Sequence, residues 1–182
     1  MSRTKLRIHN TPLDNLVSNL RGEIGEIIFS WVLMRDLTAQ ASHLRTDDPK
    51  ADIENHSMCT LNILIDKLCD EIVARLAELA ENKVGRLTFY FVQQKLNKFE
   101  VESKAFSQFV ESSRFREKRN YEISHKELSE QWTDHKFIHI PYIKIIKGVV
   151  LALRLIKRID REVLGRVLRT FGGKCAKSVT NQ

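Results

Sequence analysis

Few residues in this chain can break a helix. Seven glycines and three prolines in 182 residues are too few turn-formers for a sheet-and-hairpin architecture. Cysteine is as scarce: Cys59, Cys69 and Cys175 are an odd number at wide spacings with no Cys-x-x-Cys. That argues against both a disulfide framework and a zinc knuckle, and the three read as reduced thiols. No apolar run reaches the roughly 18 residues that cross a bilayer. Met1-Ser2-Arg3-Thr4-Lys5-Leu6-Arg7 leads into polar residues and not into the apolar core of a signal peptide. A cytoplasmic protein without stable membrane association is expected. Also missing are a glycine-rich phosphate loop, a nucleophile elbow and a paired-acid motif.

What is present suits one small domain: 42% apolar residues can fill a core and 29% charged residues can solvate its surface. Residues 1–171 are expected to form that domain, with 172–182 as a flexible C-terminal tail. The net charge of +7 points to a polyanionic partner, nucleic acid before an anionic membrane surface. The charge is concentrated. From Lys144 to Lys177 ten basic residues stand against only Asp160 and Glu162, a surplus of eight that covers the whole net excess. A merely solvated helix face would carry interspersed acids for i,i+4 pairing, so this segment reads as a polyanion-contacting surface. The part from Leu151 to Phe171 is amphipathic as well, the pattern of a helix on a membrane surface, which is the weaker of the two readings.

Apolar spacing is helical along most of the chain, and the expected fold is an all-α, up-and-down bundle of about five main helices. The first has Thr11 as cap and Pro12 at its first position, then Leu13, Leu16, Val17, Leu20, Ile24, Ile27, Ile28 and Trp31 on one face, fading near Thr38. Ser42 to His56, with Asp47-Asp48-Pro49, reads as a loop. Leu61, Leu64, Ile65, Leu68, Ile72, Leu76 and Leu79 mark a second long helix, and Asn82 to Gly85 a break. Thr88-Phe89-Tyr90-Phe91-Val92 has strand-like composition, but periodicity and its Gln-Gln-Lys-Leu flank place it in a third helix. A fourth segment runs from Val101 through Phe106, Phe109 and Val110. Pro141 opens the last helix, with Ile143, Ile146, Val150, Leu153 and Ile156 predicted along its buried side.

Between those last two helices lies Arg114-Phe115-Arg116-Glu117-Lys118-Arg119-Asn120-Tyr121-Glu122-Ile123-Ser124-His125. It sets a phosphate-binding guanidinium near the one side-chain type that titrates close to neutral pH. Cleavage of an RNA backbone without metal needs that pair. Arg3 and His9 match the same spacing but precede the first helix and lack the polar residue after Arg. Asp134, His135 and His139 could supply metal ligands, and a His pair at i,i+4 would share a helix face. Pro141 disfavours helical geometry at Ile140, and His-Lys-Phe-Ile-His has no Glu where a metalloprotease base would stand. No metal or cofactor is assigned.

The arrangement resembles the HEPN superfamily, helical bundles named for higher eukaryotes and prokaryotes nucleotide-binding. Its signature is Arg, often followed by Asn or another polar residue, with four to six residues before His; Arg119-Asn120 and His125 have five between them. The layout is similar from about Leu13 to Ile159, most of all to the HEPN proteins of abortive-infection and toxin systems. The resemblance implies a metal-independent endoribonuclease, a toxin or defence effector, in which a ribose 2′-hydroxyl attacks the adjacent phosphate. His125 would move the proton, Arg119 would hold the developing charge, and Asn120 would orient the histidine or the substrate. Arg114, Arg116 and Lys118 would line the RNA approach, with Tyr121 and Lys126 beside them. The implied partners are RNA, a second copy of the chain and an antitoxin or regulatory protein. A separation of six residues places Arg119 and His125 about 120° apart on an ideal helix, so either the helix ends between them or the site is shared across a two-fold dimer. The alternative is a non-catalytic HEPN-like module that binds nucleotide, RNA or protein.

Overall fold

The computed structural model describes residues 12–43, 52–83, 86–120 and 138–179. Among them the chain is all-helical: α1 (Leu13–His43), α2 (Asp52–Leu79), α3 (Phe89–Leu96), α4 (Glu100–Ser112), the one-turn α5 (Phe115–Lys118) and α6 (Tyr142–Val179). Setting α5 aside leaves five main helices, as the periodicity predicts. Among the described residues none of these helices is long and apolar enough to cross a membrane.

The first helix buries the face its spacing predicts. Leu16, Val17, Leu20, Ile24 and Ile27 are at most 3% exposed, and Met34 and Ala41 extend that face to the helix end. The Pro12 carbonyl accepts the first helical hydrogen bond, from Leu16 N; Thr11 lies outside the described residues. α2 runs antiparallel to α1, tied by Arg75 to Glu23 at 2.9 Å and by the Cys69 thiol donating to Met34 Sδ at 3.1 Å. The loop predicted from Ser42 to His56 is corrected at its two ends: α1 continues to His43 and α2 starts at Asp52, while residues 44–51 lie outside the described residues. Polar helix ends carry no apolar period, so they resemble a loop in sequence. Cys59 and Cys69, both on α2, are free thiols.

Phe89 to Val92 is helical, and Thr88 is the extended residue just before it. Thr88 caps α3, its hydroxyl accepting from Phe91 N at 3.1 Å, while Phe89, Phe91 and Val92 are buried. Asn97 closes the helix in the left-handed region at φ 53°, and Phe99 enters α4 at φ 69°. α4 then lies antiparallel to α6, with Glu102 paired to Arg158 and Phe109 beneath the Lys147 ammonium.

The phase predicted for α6 is the second correction. Ile143 is 69% exposed, and Ile146, Val150 and Leu153 are only partly covered; Ile145, Val149, Ala152, Ile156, Ile159 and Val163 form the buried row. Gly148 decides the phase. A Cβ there would stand 2.9 Å from Leu76 Cδ1 and 3.0 Å from Phe115 Cε2, so α2, α5 and α6 approach closely at this level and a larger residue would force those two side chains to shift. The α6 backbone also stays helical through Gly172 and Gly173 to Val179, beyond the domain boundary predicted at Phe171.

Candidate functional site

The Arg-rich segment is built on a sharp turn. α4 ends at Ser112, Ser113 is buried, and Arg114 takes φ 64°, a left-handed conformation costly for a side chain with a Cβ. Two contacts hold it there. Arg114 makes two hydrogen bonds to Glu117, at 2.6 and 2.7 Å, and the next residue, Phe115, is fully buried, edge-on to Phe109 with ring centroids 5.9 Å apart. Phe115 fills the space that Gly148 leaves open, which fixes the register of the whole segment against α2 and α6.

From this anchor the cations fan out onto α2. Arg116 donates to the Ala80 carbonyl at 3.1 Å and pairs with Glu111 at 3.0 Å. Ser107 donates to the same carbonyl at 3.1 Å, so a hydroxyl and a guanidinium together satisfy the negative end of the α2 dipole. Lys118 is buried. Its ammonium lies 3.2 Å from Asp70 and donates to the Ile138 carbonyl at 3.2 Å, joining α2 to the strand of chain that precedes α6.

Arg119 reaches the end of α2. Its Nη2 is 2.7 Å from Glu81 Oε1, and Nε and Nη2 donate to Asn120 Oδ1 at 3.2 and 3.1 Å. Glu81 is 4% exposed, yet it faces three cations: Arg119, Arg86 at 3.1 Å and Lys83 at 3.4 Å. Burial works against its charge, but the Arg119 hydrogen bond and the charges of Arg119, Lys83 and Arg86 outweigh that and hold the carboxyl below its ordinary value. Among the described residues, three cations thus share this one carboxylate, a surplus of positive charge over Glu81 itself. The Arg86 and Lys83 side chains are 60% and 59% exposed, so this surplus faces solvent.

On the other side of Lys118 a cavity of about 540 Å³ opens between α1, α2 and the start of α6, with Thr38, Asp66, Cys69, Asp70, His139 and Tyr142 on its polar side. Burial, with Asp66 and Asp70 adding to it, pushes the Cys69 thiol up to about 11. A thiol in that state is protonated at neutral pH and a poor nucleophile.

Of the residues singled out in the sequence, the fold brings Arg114, Arg116, Lys118, Arg119 and Asn120 together at the junction of α2 and α5, each cation with a carboxylate partner. Tyr121, His125 and Lys126 lie outside the described residues, as do Asp134 and His135. Among the described residues no three potential metal ligands converge. Sequence reading missed Glu81, Asp70, Lys83 and Arg86. Glu81 had one signal: it falls four residues after Ala77, just past the end of α2, where continuing the helical spacing points a carboxylate toward the apolar side and calls for a cation. No protein-family model, curated protein or solved structure matches the chain.

Proposed function

We propose that this protein is a HEPN-like, metal-independent endoribonuclease of the cytoplasm, a toxin or defence effector whose site is shared between two copies of the chain and held in check by an antitoxin-like partner. The observation that carries the reading is the Glu81 cluster. Arg119 and Asn120 are held side by side on a turn pinned to α2, where three cations among the described residues share the one Glu81 carboxylate. Glu81 fixes the guanidinium direction and the surplus attracts a phosphodiester.

In this mechanism the ribose 2′-oxygen attacks the adjacent phosphorus and the bond from phosphorus to the 5′-oxygen breaks. A 2′,3′-cyclic phosphate and a free 5′-hydroxyl result. His125 takes the 2′-hydroxyl proton or supplies the proton for the leaving oxygen. Arg119 stabilises the charge that builds on the non-bridging phosphate oxygens, and Asn120 orients the substrate or the imidazole. Every step uses side chains alone, so cleavage should proceed in excess EDTA.

Arg119→Lys keeps a cation for Glu81 but loses the planar fork, so it should fold and cleave at least about 100-fold more slowly, the typical loss for removing one such donor. His125→Ala should abolish cleavage. Mixing the two inactive variants should restore part of the activity if the site is shared between chains; no restoration places it within one chain. A second reading has its own support, because Arg119 is held much as a structural arginine is, its side chain 14% exposed against Glu81. A non-catalytic HEPN-like RNA-binding module would bind RNA, cleave none in any state, and bind equally well as Arg119→Lys.

A further inference from the structure

The basic residues of α6 do not share one fate. Arg158 pairs with Glu102 and lies over the Phe99 ring, and Lys147 sits over Phe109, so both are engaged by α4 or the link before it. The two acids of α6 are also taken: Asp160 by Arg21 of α1 at 2.8 Å, Glu162 by Lys98 at 2.8 Å. Of the other cations up to Arg161, Lys144 is half-buried at the helix start, which leaves Arg154, Lys157 and Arg161. All three are exposed and make no hydrogen bond or ion pair among the described residues.

At 100° per residue these three lie within about 60° of one another around the helix, and at 1.5 Å per residue they span about 10 Å along it. They form one stripe, with the nearest acids bound elsewhere. Gly148, packed against Phe115, marks the level of the Arg119 junction on α6, so the stripe begins about 9 Å along the helix from that level. The opposite face of α6, from Ile145 through Val149, Ala152, Ile156 and Ile159 to Val163, is buried in the bundle. That face is therefore not available to enter a bilayer, as an interfacial helix requires. Exposed Ile143 and Leu164 flank the three cations at either end, but two isolated apolar side chains make no continuous apolar face, and an uninterrupted row of cations suits a charged, regularly spaced backbone.

From this geometry we propose that Arg154, Lys157 and Arg161 form a docking stripe for the phosphate backbone of RNA, separate from the Arg119 junction. The proposal rests on the ribonuclease reading for the identity of the polyanion, while the stripe itself contributes affinity and no chemistry. Each phosphate neutralised on a single strand adds about 0.7 to the slope of log K against log salt. Three contacts therefore contribute about 2.

The test uses the full-length protein and a fluorescein-labelled oligoribonucleotide with 2′-O-methyl sugars, which cannot be cleaved by 2′-oxygen attack. Anisotropy across a sodium chloride series gives the slope for the wild type and for Arg154→Gln/Lys157→Gln/Arg161→Gln. The expected result is a slope lower by about 2 in the triple variant, with KM for cleavable RNA raised and kcat at saturation unchanged. A control variant, Arg35→Gln/Lys67→Gln/Lys104→Gln, loses the same charge from exposed positions on α1, α2 and α4 and should keep the wild-type slope. An unchanged slope in the stripe variant, an equal loss in the control, or binding to phosphatidylserine vesicles without binding to RNA would each overturn the proposal. A wild type that binds RNA with the expected slope loss in the stripe variant, yet never cleaves, supports the stripe and removes the nuclease reading.

Discussion

The cations at the α2–α5 junction and those on the outer side of α6 are alike in chemistry and opposite in circumstance. Arg114, Arg116, Lys118 and Arg119 each meet a carboxylate, two of them with little exposure. Arg154, Lys157 and Arg161 meet water. A paired, half-buried cation costs desolvation and returns order: it fixes where α5 sits and how its guanidinium groups point. An exposed, unpaired cation costs little and returns long-range attraction, screened within about 10 Å at 0.1 M salt. The same +1 charge thus contributes position in one region and association in the other. Net charge alone, which sums the two, says nothing about which is which.

The sharpest way to break this contrast is to remove the anchor under the junction. Phe115→Ala empties the space between Phe109, Leu76 and Gly148 and should cost about 3–5 kcal/mol, as buried aromatic truncations do. It should also release Arg119 and Asn120 from their fixed direction. Urea unfolding measures the first effect; a loss of RNA cleavage at temperatures where the variant is still folded measures the second. A cost below about 1 kcal/mol would mean that the turn at Arg114 is held by its ion pair alone.

Glu81→Gln comes next. It keeps an acceptor for Arg119 but leaves three cations facing no negative charge, and should cost about 2 kcal/mol at pH 7. The pH dependence has a fixed sign. A carboxyl held below its ordinary value of 4.5 contributes stability that is fully present above that value and is lost as pH falls through the lower folded-state value. The wild type should therefore lose stability below about pH 4.5 more steeply than Glu81→Gln, and the two melting curves should converge in acid. Parallel acid limbs would show that Glu81 is not the group that matters there. Exposed Lys83 and Arg86 can return to water, so most of the cost traces to Arg119.

How much of this was legible in the sequence depended on whether a signal was local. The all-α class, the α1 face from Leu16 to Ile27 and the helical state of Phe89 to Val92 follow from short-range periodicity and the scarcity of breakers. The phase of α6 was not legible, because from Ile143 to Ile156 apolar side chains point to most sides and several stripes fit equally well. What selects one is the close approach at Gly148, set by Leu76 and Phe115 far away in sequence. The site divides along the same line. Arg119 and Asn120 stand out by type and order, but Glu81 lies 38 residues before Arg119 and Asp70 lies 48 before Lys118. Only the fold shows that the segment's cations are paired, and only it separates Arg154, Lys157 and Arg161 from Arg158, their neighbour in the same basic segment, which pairs with Glu102.

The smallest expected effect is the most discriminating. Replacing Arg154, Lys157 and Arg161 by glutamine removes three exposed charges that pair with nothing among the described residues, so the stability change should stay within about 0.5 kcal/mol. Removing like charges from one helix face relieves repulsion between residues three and four apart, which points to a slight gain. The melting temperature should accordingly stay level or rise a little at low salt, and the difference should vanish as salt increases and screens the pairs. Glu81→Gln should keep most of its cost in the same salt series, because a buried pair is screened far less. Equal salt sensitivity in the two variants would erase the distinction between cations that position and cations that attract.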